Sequence, residues 1–375
     1  MATSNGRQPT VIDLFCGAGG LSLGFQNAGF QILAGFDSSQ VNVDTYGLNF
    51  PSARAVKCDL GNLTGKQLLA TIGARVGEVD VIIAGPPCQG FSLIGKRAPS
   101  DTRNGLLGHV LEFVGTIRPR YFVVENVQGL LSGATKPLAD DFVRRADTLG
   151  YDVVTPVKVL DAKDFGVPQT RKRVFFLGSR RAAKPPVYPR PGVLTNDLEK
   201  GTPTVIDAIG DFPDIQGIAA LYLTDRFRGV LGKPSRYSAR LRKDAPNRQS
   251  APTTGGTGIG GLALTRHTKE TVARFALTPP GCTEVVSRFP RLDPFGVAPT
   301  LRAGTGPEHG SHTAARPIHP SQPRVITTRE AARLQSFPDW FEFHPSKWHG
   351  FRQVGNSVPP ILAESVGAAL IANLM

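Results

Sequence analysis

Residues 85–92 read GPPCQGFS. Pro86 and Pro87 hold the backbone after Gly85 in a stiff extended shape, because their rings fix φ. Cys88 follows at once, at the point where small and polar residues begin. A thiol at the end of a rigid segment has the placing of a nucleophile, since the thiolate is the reactive form and must meet its substrate in a set direction. An isolated cysteine is more often a small buried hydrophobe, and Cys16, Cys58 and Cys282 are read that way. No two cysteines have C-x-x-C spacing, so no zinc site is expected. Four scattered cysteines also do not make a disulfide framework, and a reducing cytoplasm is the simplest home.

A second chemical signal is DLFCGAGG, residues 13–20. Gly17, Gly19 and Gly20 form a turn that lets backbone approach a ligand closely. The spacing departs from G-x-G-x-x-G, so the pyrophosphate fingerprint is imperfect. Asp37 is placed at the end of the next apolar run to accept from ribose hydroxyls. Asp59, after the third run, can accept from an adenine amino group, and Phe15 can stack on the ring. These residues point to an adenosine-containing ligand. S-adenosylmethionine fits better than a nicotinamide dinucleotide, because it needs no pyrophosphate site.

The elements that must carry these residues are β-rich runs at 10–15, 31–37, 53–59, 79–87 and 121–127, with helical patterns between them such as 106–118. Buried parallel strands joined by helices predict a doubly wound α/β sheet, Rossmann-like, with ligands at the C-terminal strand ends. Phe15–Gly20, Asp37, Asp59, Pro86–Cys88 and Glu125–Val127 all fall on that edge. Two further strands, 151–162 and 173–180, are joined by a short segment without helical pattern, which predicts an antiparallel pair at one edge. After about residue 185 periodicity weakens and Gly, Pro, Thr and Arg dominate. The stretch 226–248 is dense in Arg and Lys, and Arg240 and Arg242 are read from it as phosphate contacts. Regular structure resumes at TTREAARLQSFP (327–338), with Thr327 or Thr328 as helix N-cap. The expected organisation is 1–184 as a first domain, 185–323 as a smaller loop-rich domain, and 324–375 as a hinge and return to the first.

DLFCGAGG, GPPCQGFS, ENV (125–127), QTRKR (169–173), TTREAARLQSFP and GNSVPP (355–360) occur in this order. Together they resemble the ordered motifs of the bacterial-type DNA (cytosine-5)-methyltransferases, over residues 10–180 and about 324–375. The resemblance implies methyl transfer from S-adenosylmethionine to carbon 5 of cytosine at a specific duplex site, with the base flipped out. Cys88 then resembles the nucleophile that adds to carbon 6. Glu125 would bind the ring nitrogen and exocyclic amine, in a protonated form that requires a raised pKa, and Asn126 would orient the loop. Arg171 and Arg173, two apart on an extended segment, would point to one side and contact the flipped base, a phosphate and the catalytic loop. Pro86, Leu106, Asn356 and Ser357 would complete the cofactor pocket. Lys96, Arg97 and Arg103 would hold the DNA backbone, beside Ser92, and Thr300 of the Thr300-Leu301 pair would lie near a phosphate. Ile94 stands where some members have a small polar residue that fills the gap left by the base. The region 185–323 matches the family only in position, as its target-recognition domain.

The formal net charge is +13 in 375 residues, which suits a polyanionic partner such as double-stranded DNA. The polar N-terminus has no signal core. The apolar C-terminus is interrupted by Glu364 and is expected to be a core-packing helix with no membrane role. The remaining expectations are a cytoplasmic monomer bound to DNA, with a cognate restriction endonuclease as a partner the resemblance allows. Three competing functions were weighed. A transfer-RNA methyltransferase lacks support, because its Cys-Phe-Thr tripeptide is absent. A catalytically silent DNA-binding protein would have lost the thiol or the glutamate. A nicotinamide oxidoreductase is the most distant.

Overall fold

The computed structural model describes residues 7–87, 105–192, 201–243, 258–304 and 316–374. Eight strands form one sheet: β1 (Thr10–Leu14), β2 (Gln31–Asp37), β3 (Arg54–Lys57), β4 (Val81–Ala84), β5 (Tyr121–Val127), β6 (Tyr151–Val153), β7 (Lys158–Asp161) and β8 (Lys172–Arg180). Their order is β3-β2-β1-β4-β5-β8-β6, with β7 also on β8. The pairs from β3 to β5 are parallel, and every pair with β8 is antiparallel. β1 and β4 are buried at every position, as strands covered on both faces must be. The chain runs outward from β1 to β3 and then returns to β4, so the β1/β4 crevice is the topological switch point where such sheets bind ligands.

The segment 151–162, expected as one strand, is two. β6 pairs with residues 178–180 of β8 and β7 with residues 172–175, along the same edge. Between them lies Pro156, which has no N–H to give to a ladder. The joining segment also holds a single 3-10 turn, Ala162–Phe165.

Helices α1 (Gly20–Asn27), α2 (Gln40–Asn49), α3 (Gly65–Ile72), α4 (Gly105–Ile117) and α5 (Lys136–Thr148) connect the strands. Leu14, Ile82, Val110, Val114, Phe122, Phe142 and Phe176 are almost fully buried in one cluster between sheet and helices. Each such side chain contributes about 1.5–3 kcal/mol. On α1, a Cβ at Gly24 would lie 2.3 Å from that of Ala363, so glycine is what allows the C-terminal helix Pro360–Ile371 to pack there. That helix is a core element, as expected. Among the described residues, the stretch 347–371 is long and apolar enough to cross a membrane, but 78% of its apolar window is buried in the protein.

The chain divides into two units. The first is Met1–Asp161, Lys172–Leu194 and Pro360–Met375; the second is Ala162–Arg171 and Thr195–Pro359. The boundaries thus fall at 194/195 and 359/360, where the sequence expectation put them at 184/185 and 323/324. Residues 324–359 belong to the second unit because their arginines are anchored there.

The second unit holds α6 (Val205–Ile209), α7 (Arg236–Leu241), α8 (Lys269–Leu277), α9 (Thr328–Leu334) and α10 (Lys347–Asn356). Its apolar clusters are small: Ile215, Leu221, Phe227, Leu262 and Leu264 in one, Phe275, Ile318 and Val325 in another. Buried arginines do much of the joining. Arg333 donates to both oxygens of Asp339, at 2.8 and 2.7 Å, and also to Asp211. Arg329 donates to the carbonyls of Gly260, Pro338 and Phe341 at 2.7–2.9 Å. Thr327 is the N-cap of α9, in a capping box with Glu330, and Glu330 also takes a bidentate pair from Arg324 at 2.9 and 2.7 Å.

Candidate active site

The turn after β1 is built from backbone that ordinary residues avoid. Phe15 has φ 61°, Gly17 55° and Gly19 102°. Asp37, at the end of β2, holds this turn: one carboxylate oxygen accepts from Gly17 N at 2.9 Å, the other from Ser39 N at 2.8 Å and Asn42 Nδ2 at 3.2 Å. Phe15 is half-buried against the sheet cluster that also touches Cys58. Asp59 is exposed after β3 and accepts from Gly61 N and Asn62 Nδ2 at 3.0 and 2.8 Å. A Cβ at Gly61 would lie 3.3 Å from Asp59 Oδ1 and 3.7 Å from Leu106, so Leu106 and Asp59 border the same point. A Cβ at Gly17 would meet nothing within 4 Å. Phe15, Gly17, Asp37 and Asp59 thus lie at the ends of adjacent strands, with Leu106 of α4 beside Asp59 and open space over Gly17, while Gly19 is packed against Phe50. Carboxylates that accept from ribose hydroxyls and an amino group, an aromatic ring that stacks, and bare backbone fit an adenosine group.

Beneath this turn is a polar chain that the sequence reading did not single out. Ser22 Oγ donates to Asp13 Oδ2 at 2.7 Å and lies 2.7 Å from Tyr46 Oη; Asp13 is fully buried, and among the described residues its Oδ1 has no hydrogen-bond partner. Burial pushes the Asp13 carboxyl up to about 7. The signal was present, as an acid within a strand that is otherwise apolar.

The ends of β4 and β5 come together through Asn126 and Glu125. Asn126 Nδ2 donates to Pro86 O at 3.4 Å, and its Oδ1 accepts from Val127 N at 2.8 Å. A Cβ at Gly85 would lie 3.5 Å from Glu125 Oε2. Glu125 is 9% exposed and forms an ion pair with Arg173 Nε at 2.8 Å. The pair runs diagonally across the β5–β8 ladder, where Glu125 is opposite Phe175 and Arg173 opposite Val127, and Pro86 is buried. Cys88, Ser92, Lys96, Arg97 and Arg103 lie outside the described residues.

Arg171 donates to backbone carbonyls, and Arg173 pairs with the Glu125 carboxylate. Arg171 is 1% exposed and donates to Leu301 O at 2.9 Å and Gly355 O at 2.7 Å, within the second unit. Gln169, also fully buried, accepts from Leu301 N at 3.1 Å and donates to Gln335 at 2.5 Å, which donates to Ser357 O at 2.6 Å. QTR is therefore a brace that fixes Thr300-Leu301 and the GNS turn. Thr300 Oγ1 donates to Thr170 O at 2.7 Å. Ser357 is buried with its hydroxyl on Gln353 O at 2.7 Å, while Asn356 is exposed.

Two expectations need revision. Cys282 is exposed, because it sits in a two-stranded turn away from either apolar cluster; Cys16 is buried and Cys58 half-buried. Arg242, read as a phosphate contact, spends its guanidinium on Asp211 and on Gly232 O, the latter at 2.9 Å. Arg240, on α7, is half-buried. Burial pushes the Cys58 thiol up to about 11 and the Cys16 thiol well above its ordinary value, with Asp37 adding to the rise at Cys58 and Asp13 and Asp37 at Cys16. Neither is a ready nucleophile.

Residues 9–372 match the family model for C-5 cytosine-specific DNA methylase. The chain belongs to that family. It is 46% identical over 374 residues to the Type II methyltransferase M.XorII of Xanthomonas oryzae pv. oryzae, covering 98% of this chain and 85% of the relative. The Type II methyltransferase M.AgeI of Thalassovita gelatinovora is 33% identical, with 96% and 98% covered. A solved prophage-encoded chain from E. coli, assigned as a DNA modification methyltransferase, superposes with a TM-score of 0.77 at 33% identity, covering 98% and 99%. The S. pombe Dnmt2 structure, at 18% identity and TM-score 0.56, shares the fold, over 98% of each chain. This member of the family is accordingly a DNA cytosine methyltransferase on a Rossmann-like sheet.

Proposed function

We propose that the enzyme takes its methyl group from S-adenosylmethionine, flips the target cytosine out of duplex DNA, and attacks it through Cys88. The observation that carries this is the Glu125–Arg173 pair beside Gly85, where β4 leaves through Pro86 and Pro87 toward Cys88. When bound, S-adenosylmethionine supplies an electrophilic methyl on a sulfonium. Phe15, Asp37, Asp59 and Leu106 bind its adenosine end, with Gly17, Gly19, Gly20 and Pro86 as backbone surface.

Glu125 accepts from the exocyclic amine of the base and, once protonated, donates to the ring nitrogen. Arg173 holds Glu125 in place. The Cys88 thiolate forms a bond to carbon 6, and the electron pair of the 5,6 double bond becomes available at carbon 5. Carbon 5 would then take up the methyl group that bound S-adenosylmethionine would supply, the electron pair of the broken bond staying with the donor. A base then removes the carbon 5 proton, the double bond re-forms, and the thiolate leaves. Extrusion is required because neither ring carbon is open to this attack inside the stack.

Lys96, Arg97 and Arg103 are assigned to the phosphates, with Thr300 and Arg240, and residues 185–323 to target recognition. Arg171 is a positioning residue through Leu301 and Gly355. A cognate restriction endonuclease fits the Type II relatives. Bisulfite sequencing of DNA from cells expressing the protein tests the function: one short motif should be protected. Glu125→Gln should lower methyl transfer about 10²-fold or more while retaining cofactor binding. Unmethylated DNA with the wild type would refute the assignment.

A further inference from the structure

The segment 281–291 forms a finger whose base is fixed and whose tip has no internal use. Gly281 N donates to Arg291 O and Arg291 N to Cys282 O, at 2.9 and 2.7 Å; Glu284 N donates to Phe289 O at 2.9 Å; and Thr283 bridges Pro290 antiparallel. The base is tied down twice. Arg291 is 9% exposed, and its guanidinium donates to the carbonyls of Phe275, Ala276 and Thr278 at the end of α8 and to Pro320 O, at 2.8–3.2 Å. Those carbonyls are groups that a helix end leaves without partners. Phe289 packs on the Phe275, Ile318 and Val325 cluster.

The tip is organised from below by one carboxylate. Glu284 is 3% exposed; its Oε1 accepts from Val286 N at 3.1 Å and Arg274 Nε at 3.3 Å, and its Oε2 accepts from Ser287 N at 2.5 Å. Arg288 N closes the turn onto Glu284 O at 3.0 Å, with Arg288 held at φ 60°. A non-glycine residue in this region is strained, and such strain persists only where the surroundings impose it. The result is a rigid tip that turns two valines outward, Val285 at 77% and Val286 at 68% exposure, beside an exposed Arg288. Among the described residues the Arg288 side chain has no hydrogen-bond or ion-pair partner.

We propose that residues 285–288 are a specificity-determining element that reads base edges in the major groove of the target DNA. This rests on the functional reading above. A two-stranded ribbon fits the major groove, where a guanidinium pairs with guanine O6 and N7 and an apolar surface meets the thymine methyl group. Arg288 therefore selects guanine at one position, and the valine pair selects thymine at a neighbouring one. The chain's charge of +13 suits this occupant, whereas a bare apolar tip would suit a protein partner.

The test uses the full chain, S-adenosylmethionine with a labelled methyl group, and duplexes that each change one base pair of the wild-type site. Arg288→Gly removes the side chain while keeping the backbone conformation, since glycine accepts positive φ. It should lose discrimination at one guanine position by about 10- to 100-fold, with an unchanged salt slope of DNA binding, since base contacts leave that slope alone. Val285→Ser with Val286→Ser should relax selection at a separate thymine. Retained cofactor binding shows that both variants are folded. Unchanged selectivity would overturn the proposal and leave the tip to a protein partner. Uniformly weaker binding with a shallower salt slope would make Arg288 a phosphate contact and would also overturn it. A wild type that methylates no duplex removes the functional reading itself, an outcome distinct from either.

Discussion

The two units reach order by different physics. In the first, apolar strands and amphipathic helices bury a continuous cluster, and the chemistry hangs on the strand ends. In the second, the apolar clusters are small, and buried guanidinium groups tie loops by their carbonyls and carboxylates. A planar fork with five donors can satisfy several backbone acceptors at once, which suits a chain with little repeating structure. The first unit is thus held mainly by non-directional burial, while the second depends on individual hydrogen-bond and ion-pair partners.

The largest expected effect breaks that contrast directly. Arg333→Met should cost about 3–5 kcal/mol in denaturant unfolding, because Asp211 and Asp339 lose a buried cation. Restoring neutrality with Asp339→Asn in the Met background, which leaves Asp211 its pair with Arg242, should recover a substantial part. If the single change costs under about 1 kcal/mol, the arginine brace is not what holds the second unit.

Asp13→Asn should act in the opposite direction in the first unit. The folded-state carboxyl is raised to about 7 from 3.8, so the folded protein binds this proton more tightly than the unfolded chain. Stability is lost as pH rises from about 4 to about 7 and is constant above that. The asparagine should therefore stabilise by about 2–4 kcal/mol at pH 8, with the gain shrinking toward zero near pH 4. Melting curves at the two pH values check this, and a gain independent of pH would contradict it.

The smallest effect compares two capping boxes of the same kind. Thr64 caps α3 at the surface, and Thr327 caps α9 in the interior. Each loss to alanine should cost about 0.5–2 kcal/mol. Thr327→Ala should lie at the upper end, because Glu330 there also holds Arg324. Equal costs would mean that the network adds nothing to the cap.

The same contrast explains what the sequence made legible. Strand runs such as 31–37 and 121–127 were readable because burial imposes a repeating pattern, and the strand ends then located Asp37, Asp59 and Glu125. The break at Pro156 was readable in principle, since proline cannot donate to a ladder. The bracing roles of Arg171, Arg242 and Gln169 were not. Their partners are carbonyls and carboxylates far away in sequence, such as Leu301, Gly355 and Asp211, and no local pattern marks a carbonyl that will need a donor. The finger at 281–291 was hidden for the same reason, and its exposed cysteine was mistaken for a core residue.

The central claim is covalent attack by Cys88 at the strand end occupied by Glu125 and Arg173, and a duplex carrying 5-fluorocytosine at the target position tests it most directly. Fluorine cannot leave carbon 5 as a cation, so the adduct formed after methyl transfer cannot resolve. The account predicts a protein–DNA species that survives denaturing electrophoresis, accumulates only with S-adenosylmethionine present, forms more slowly at low pH because the thiolate attacks, is lost in Cys88→Ala and persists in Cys282→Ala. No adduct on a duplex the enzyme is known to methylate, or an adduct that survives Cys88→Ala, would contradict it.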